Sequence, residues 1–526
     1  MTGGPILVGI DAGTSVIKSV AFTAEGEQIA SAARPNLYRQ VDGGGVEQDM
    51  ARTWRDTVAT LKDLSEQLGP RAKDIAAIGI TGQGDGTWLV DAEGEPVAPA
   101  WLWLDARGAE EARRFAASAA HALHYEHTGT GISTCQQSIQ LMVMKRRFPQ
   151  LIERAASAMH CKDWLYFRMT GERVTDVSEA QFTFGDYRTR DYSDAVIDNL
   201  GLAGLRRLLP PMIDGRRTSH PLLAEVAGAS GLAAGIPIVL GYVDIVATGI
   251  GGGLVGDKRN LGLSILGSTG IHMRYVAGPS EVVPNPQRSG YVIPLPSETA
   301  LTQFQSNMAA TLNIDWIVGL AESVLETEGL ERDRRSLIAR LDERVTRAEP
   351  LSAIYHPYIS EAGERGPFMD PLARAQFTGL HSRANFDDLM RAVFEGLAFA
   401  ARDCFEGAGG LPDELRVTGG AARSKAMRAI LASVLSCPVR HVEREEAGAA
   451  GAAMIAALSL GLFETLEQCS AVWMDGRLSA ETLPDEALAP CYDEAFGLYQ
   501  HIRRTLPPVW SRLASLRAGV LARGAA

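Results

Sequence analysis

Apolar residues fill positions 6–10 (ILVGI), the pattern of a buried strand, and a second run covers 16–22 after the tight turn Asp11-Ala12-Gly13-Thr14. The turn Ala24-Glu25-Gly26-Glu27 leads to a third strand-like run at 28–33. Three strands in succession predict a meander, not the strand-to-helix opening of a dinucleotide-binding unit. Helical spacing then dominates 50–68, and a strand at 75–80 ends in the loop Thr81-Gly82-Gln83-Gly84-Asp85-Gly86. Strand-like runs at 88–90 and 100–104 flank the turn Glu93-Gly94-Glu95-Pro96. Loops and helices continue to about Gly256.

The second half begins in the same way. A strand at 260–266, the turn Gly267-Ser268-Thr269-Gly270 and a strand at 271–275 repeat the plan of the first hairpin. That repetition predicts a duplicated chain with two facing lobes. Asn385 is placed to cap a helix carrying Asp387 and Asp388 in its first turn. Phe386, Leu389, Met390, Val393, Phe394 and Leu397 form its apolar stripe, and it ends near Gly407. A strand at 415–418, the turn Gly419-Gly420-Ala421 and a helix at 424–435 follow. A further helix at 447–458 is built of small residues that allow close backbone packing. The glycine-rich stretch 249–256 is the best boundary, giving domains 1–256 and 257–526.

Composition narrows the classes. The chain has 526 residues, 46% hydrophobic and 22% charged, which excludes a largely disordered or disulfide-scaffold protein. A net charge of −12 argues against a broad nucleic-acid-binding face. The six cysteines contain no C-x-x-C pair and suit a reduced cytoplasmic protein with buried thiols. The start, MTGGPILVGID, has no basic n-region and reaches Asp11 too soon for a signal peptide. The most membrane-like stretch, 235–256, carries Pro237 and a central Asp244, so a buried aspartate is favoured over a span.

The candidate chemistry lies in the turns and acids. Both hairpin turns are rich in Gly, Ser and Thr, and their N–H groups could clamp phosphate, although either alone could be an ordinary hairpin. Thr14, Ser268 and Thr269 add hydroxyls, Lys18 could reach a phosphate, and Asp11 stands where it could hold Mg²⁺ through water. Asp244 sits in an apolar run, as a general base or as a cap at a helix start. Gln83 and Asp85 suit paired substrate hydroxyls, against the alternative of a solvated turn, and Trp103, Asp105 and Arg107 could wall the same pocket. Other patterns carry less. Gly251-x-Gly253-x-x-Gly256 follows a helix-like run, and Asp257 and Lys258 disrupt any helix start behind it. His121, His124 and His127 suit a surface or interface helix, and Cys135 a packing role. There is no G-x-x-x-x-G-K-[ST] motif and no protein-kinase signature.

These residues together resemble the FGGY carbohydrate kinases. The resemblance rests on Asp11-x-Gly13-Thr14, Thr81-Gly82-Gln83, Trp103-x-Asp105-x-Arg107 and Gly241-x-x-Asp244 in the first half. Gly267-Ser268-Thr269, Gly363-Glu364-Arg365-Gly366-Pro367, Gly419-Gly420-Ala421 and Gly448-Ala449-Ala450 carry it through the second. It implies an α/β fold of two actin-like, ribonuclease-H-like domains flanking a central ATP and substrate cleft. It implies Asp244 as the base, Asp11 at Mg²⁺, and Gly13, Thr14, Gly267, Ser268 and Thr269 at the ATP phosphates. Gly420, Ala421 and Ser424 would line the adenosine site, and Asp85 and Trp103 match substrate-contacting positions. Thr311 falls near a usually small position of the family's nucleotide site. Where pentulose kinases of the family carry Met-His, and glycerol kinases Arg-Glu, this chain has Gly84-Asp85, which suits a neutral polyol. The strings GITGQGDGTWLVD, AWLWLDAR, TGISTCQQ, CKDWLYF and YHPYISEAGERGPF look closest to the family's bacterial erythritol kinases. The resemblance therefore implies ATP-dependent phosphorylation of a terminal hydroxyl of erythritol in the cytoplasm, with no nucleic acid or membrane partner and a homodimer as one option for assembly. The alternatives are another polyol or a ketopentose such as xylulose, and, from another class, a non-catalytic actin-like ATP-binding module.

Overall fold

A computed structural model describes residues 4–256, 260–330 and 334–524. Its centre is two six-stranded mixed sheets. In the first, β1 (Ile6–Ala12), β2 (Val16–Thr23) and β3 (Gln28–Pro35) form the antiparallel meander. The helix α1 (Met50–Leu68) then returns the chain so that β4 (Ile75–Gly82) lies parallel to β1. After a long, mainly helical excursion, β5 (His220–Pro221) and β6 (Pro237–Leu240) complete the order β5-β6-β4-β1-β2-β3, with β6 parallel to β4. The helix α2 (Asp244–Gly251) leaves this sheet.

The second sheet comprises β7 (Leu261–Leu266), β8 (Gly270–Val276), β9 (Tyr291–Pro294), β10 (Leu301–Asn307), β11 (Glu414–Thr418) and β12 (Val439–His441), in the order β9-β10-β8-β7-β11-β12. Matching β7, β8, β10, β11 and β12 to β1, β2, β3, β4 and β6 reproduces every pairing and its sense: two antiparallel, then two parallel. The duplication foreseen from two hairpins therefore extends over both sheets. The helix α3 (Phe386–Gly407) crosses between β10 and β11. Its start is the expected one, because Asn385 and Asp388 form a reciprocal capping box. A helix α4 (Lys425–Leu435) follows, with Ser424 as its N-cap.

The last of these helices, α5 (Ala447–Ser459), comes from the second half but lies on the first sheet. Its alanines and glycines are the reason. A Cβ on Gly9 of β1 or Gly79 of β4 would overlap the carbonyl oxygens of Ala449 and Ala452. A Cβ on Gly451 would overlap the carbonyl oxygen of Ala247, and one on Gly251 that of Ala447, so the α2 and α5 backbones touch. All residues of α5 from Ala447 to Ala457 are buried.

Some details differ from the sequence expectation. The strand expected at 100–104 stops at Trp101, because Asp105 accepts the Val46 N–H (2.8 Å) and turns the chain. His121 and His124 are buried rather than on a surface helix, and burial, reinforced by His121 and His127, pushes His124 down to about 3. In the same helix, the Tyr125 hydroxyl accepts the Asn285 N–H (2.9 Å), so the helix sits against the second half. Five cysteines are buried, but Cys491 is exposed. The expected division at 256/257 abuts residues 257–259, and it, Asp257 and Lys258 lie outside the described residues. Among the described residues no helix is long and apolar enough to cross a membrane, and stretch 235–256 holds β6 and α2.

Candidate active site

The β1–β2 turn of the first half and the β7–β8 turn of the second face one cleft. Its inner part is a cavity of about 290 Å³. The first half supplies Thr14, Asp85, Trp103, Asp244 and Thr248, and the second supplies Thr269, Tyr291, Ser306 and Arg365. An adjoining groove of about 720 Å³ carries Asp11, Lys18, Gly420, Arg423 and Gly448. Thr248 and Ile265 line both spaces, so they are contiguous.

The fold explains how the acids reach this place. Asp11 stands near the C-terminal end of β1, at an approach that Gly448 makes possible: a Cβ there would overlap the Asp11 carboxylate. Gly241 turns the chain from β6 across β4, donating its N–H to Ile80 (2.8 Å), and a side chain there would strike the same carbonyl. Asp244 is thus delivered as the first residue of α2. The N-cap position itself is Val243, which makes no side-chain bond, and the Asp244 carboxylate accepts the Ile245 N–H at the helix start, so it is placed both at the helix terminus and in the cavity. Asp85 has a left-handed backbone (φ 55°) between Gly84 and Gly86, a strained setting that aims its side chain into the cavity.

The electrostatics are those of three crowded carboxylates. Burial first, then the charge of Asp11, raises Asp244 to about 7, against N–H donors from Ile245 and Gly84. Burial raises Asp11 to about 6, opposed by Lys18 and reinforced by Glu446. Burial likewise raises Asp85 to about 6, opposed by His160, the Cys135 thiol and Arg365. Asp85 Oδ2 accepts from Cys135 (3.7 Å), while Oδ1 is buried with no partner. Cys135 thus does more than pack. The Asp85 carboxylate, with one oxygen unpaired, beside half-buried Trp103 and the rings of Phe182, Tyr291 and Phe304, suits a small hydroxylated ligand.

Several expected contacts are placed differently. Gln83 is buried outside the cavity lining: its amide donates to Gln48 (2.7 Å) and its oxygen accepts from Thr14 (3.1 Å). Trp103 Nε1 donates to the same Thr14 hydroxyl (2.7 Å), and Asn36 holds the Gly13 carbonyl (2.8 Å). With the Thr14 proton committed to Gln83, what the first turn can offer a phosphate is backbone N–H. Gly13 is half-buried at that turn. Lys18 gives one of its donors to Glu446 (2.7 Å). Asp105 and Arg107 do not wall the pocket; they pair with each other, and Arg107 also pairs with Glu47 and lies over Trp101. In the second turn Gly267 is half-buried, with only the Thr269 carbonyl within contact of a Cβ placed there (3.8 Å), and Ser268 is exposed, so this turn has room to receive a ligand. Gly420 lines the groove, and Ala421 lines a small cavity with Thr311, Leu266 and Asn307. Ser424 is turned away: its hydroxyl donates to Asp342 and caps α4 at Met427.

The sequence reading missed a charged cluster behind the Asp85 loop. Lys162 is wholly buried between Asp163 (2.8 Å) and Asp176 (2.6 Å). His160 lies 3.3 Å from Asp163 and 3.5 Å from Glu179. Burial lifts Glu179 to about 8 against His160 and Lys162, and neither of its oxygens has a hydrogen bond. A charged Lys-Asp pair inside the apolar string CKDWLYF was the available signal. Arg365 was visible only as part of a motif to which no role was attached.

Two copies of one sheet topology around a cleft lined by acids and Gly/Thr turns define the class of two-lobed, actin-like nucleotide-cleft proteins. Residues 6–251 match the N-terminal domain of the FGGY family of carbohydrate kinases, and residues 262–460 match its C-terminal domain. The chain belongs to the FGGY family of carbohydrate kinases and is an ATP-dependent phosphotransferase. An erythritol kinase of Brucella abortus is 50% identical over 513 residues, covering 97% of this chain and 98% of that protein. A xylulose kinase of Escherichia coli is 29% identical over 522 residues, covering 97% of this chain and all of the relative (100%). Among solved structures, ligand-bound xylulose kinase of Lactobacillus acidophilus shares the fold (TM-score 0.86, 21% identity, 97% of this chain and 100% of that one). Plasmodium falciparum glycerol kinase with ADP does so too (TM-score 0.80, 19% identity, 96% and 99% covered).

Proposed function

We propose that this enzyme transfers the γ-phosphoryl group of ATP to a terminal hydroxyl of erythritol, giving erythritol 4-phosphate and ADP. The observation that carries this reading is the 50% identity to an erythritol kinase along nearly the whole of both chains. The pocket supports it. A small cavity with a free carboxylate oxygen suits a neutral tetritol, whose hydroxyls can donate to Asp85, and disfavours an acidic sugar.

In the proposed reaction the terminal hydroxyl oxygen forms the new O–P bond. The bond from phosphorus to the β,γ-bridging oxygen breaks, and ADP leaves with those electrons. Asp244 accepts the hydroxyl proton as the O–P bond forms. Asp85 and Trp103 hold the polyol, while Gln83 acts at one remove by fixing Thr14. Backbone N–H groups around Gly13 and Thr14, and the turn Gly267, Ser268 and Thr269, take the phosphates from the two lobes. Lys18 contributes charge, and Gly420 and Ala421 line the way to adenosine; Ser424 is left out of that set. In this reading residues 1–256 carry the polyol site and 257–526 the nucleotide side.

Magnesium fits the donors present. It is usually held by one or two carboxylates plus substrate phosphates. Among the described residues no group of three or more acidic, His or Cys side chains is arranged to hold a metal ion by itself, and Asp11 faces the groove with its carboxylate against the Cα of Gly448. Asp11 would hold Mg²⁺, which when bound offsets phosphate charge. The use of ATP suits a cytoplasmic enzyme; light scattering after size exclusion tests for a homodimer.

An ADP-release assay with Mg-ATP against erythritol, threitol, ribitol, xylitol, glycerol and the xyluloses tests the substrate. Erythritol well ahead by kcat/KM is expected; a roughly tenfold lead for xylulose would replace erythritol as the substrate. Asp85→Ala should raise the polyol KM about ten- to a hundredfold, the range for a hydrogen bond to a charged group. The ATP KM should stay put. If it is ATP that binds worse, the Asp85 loop serves the other ligand.

A further inference from the structure

Arg365 comes from the second half and lines the same cavity as Asp85 from the first. It is held firmly. Its Nη2 donates to Ser306 Oγ at the end of β10 (2.7 Å), and its own N–H donates to Glu364 (2.8 Å). Glu364 also receives the Met308 N–H (2.8 Å), and Asn307 donates to the Gly366 carbonyl (3.0 Å), so the whole turn is tied to β10. Despite these bonds, Arg365 Nε is buried without a partner. Asp85 Oδ1 is also buried without a partner. The Arg365 charge acts on Asp85 from the other half of the chain, opposing the upward push of burial.

A buried donor and a buried acceptor without partners, on two residues that line one cavity, carry a cost unless a ligand completes both. Adjacent hydroxyls of a polyol do so: one donates to a carboxylate while its neighbour accepts from a guanidinium. We propose that Arg365 is a substrate-binding residue that, with Asp85, clamps neighbouring hydroxyls of the polyol from opposite lobes. This inference rests on the polyol-kinase reading above. Because the two groups belong to different lobes, the substrate itself ties the halves together. A ligand lacking one of the two hydroxyls gains only half of the clamp. The geometry thereby adds a specificity determinant to Asp85 and links polyol occupancy to closing of the cleft.

The test is steady-state kinetics and calorimetric erythritol binding, without nucleotide, on wild-type enzyme, Arg365→Gln and Arg365→Lys. Arg365→Gln should raise the erythritol KM and Kd roughly tenfold or more, with ATP KM and Tm close to wild type. Arg365→Lys should fall between, since it keeps the charge and loses the planar fork. Polyol KM within twofold of wild type in both variants would overturn the assignment while leaving the kinase reading intact. A joint rise of both KM values with a fall in Tm would also overturn it, marking Arg365 as a brace for Ser306. Wild-type protein that neither binds nor phosphorylates erythritol would instead bring down the substrate reading, and this inference with it.

Discussion

Asp244→Asn is expected to lower kcat by about 10²- to 10⁴-fold, the usual contribution of a positioned general base. ATP affinity should change little, because Asp244 lines the inner cavity and not the groove around Asp11 and Gly420. Asparagine has the same size and keeps the start of α2, so loss of turnover would report chemistry more than packing. The acid limb of the pH profile gives an independent check. Burial and the neighbouring charge of Asp11 hold Asp244 near 7, and only its ionised form can take a proton. Turnover should therefore fall as pH drops through about 7 and level off above it. Asp11 and Asp85, both raised to about 6, will share this limb, so the measured values belong to the group of acids. In Asp244→Asn the residual rate should lose the component near 7. Near-normal turnover of the variant would remove Asp244 from the role of base.

The sheets were legible because their signals are local. Apolar runs, glycine turns and the Asn385 cap each specify conformation within a few residues, and the observed bounds differ by only a residue or two at β1, β2, β7 and α3. The mainly helical excursion between β4 and β5 was less so, because its short helices owe their burial to tertiary packing. Asp11, Asp85 and Asp244 were legible as acids among apolar or glycine-rich neighbours, which is unusual enough to ask for a purpose. What no spacing reveals is where hydroxyls and amides spend their bonds. Gln83 and Thr14 satisfy each other instead of waiting for substrate, and Ser424 turns to Asp342, a partner 82 positions earlier. Arg365 and Asp85 line one cavity only because the two halves of the chain pack around it, and neither sequence stretch refers to the other.

Gly451→Ala should be among the most damaging single substitutions in the chain. In an ordinary helix interior the change would stabilise by roughly 1 kcal/mol, since alanine is the better helix former. Here the new Cβ would overlap the Ala247 carbonyl, and the partner is backbone, which cannot rotate away. Relief requires α2 and α5 to separate, against contacts that bury α5 on the first sheet. A cost of at least about 3 kcal/mol is expected, the upper part of the range for overpacked cores. The damage should reach catalysis as well. Helix α2 begins with Asp244, and Gly448 of α5 sits on the Asp11 carboxylate, so spreading the crossing moves both acids relative to the turns. Gly319→Ala is the control, within the helix Thr311–Thr327 but with nothing in reach of its Cβ. Thermal melts should show Gly451→Ala far below wild type, and Gly319→Ala at or slightly above it. A Gly451→Ala protein that melts with wild type would mean that the two backbones are not in contact in solution. A variant that fails to fold would still be read against Gly319→Ala, since both make the same chemical change inside a helix and differ only in what the methyl group meets.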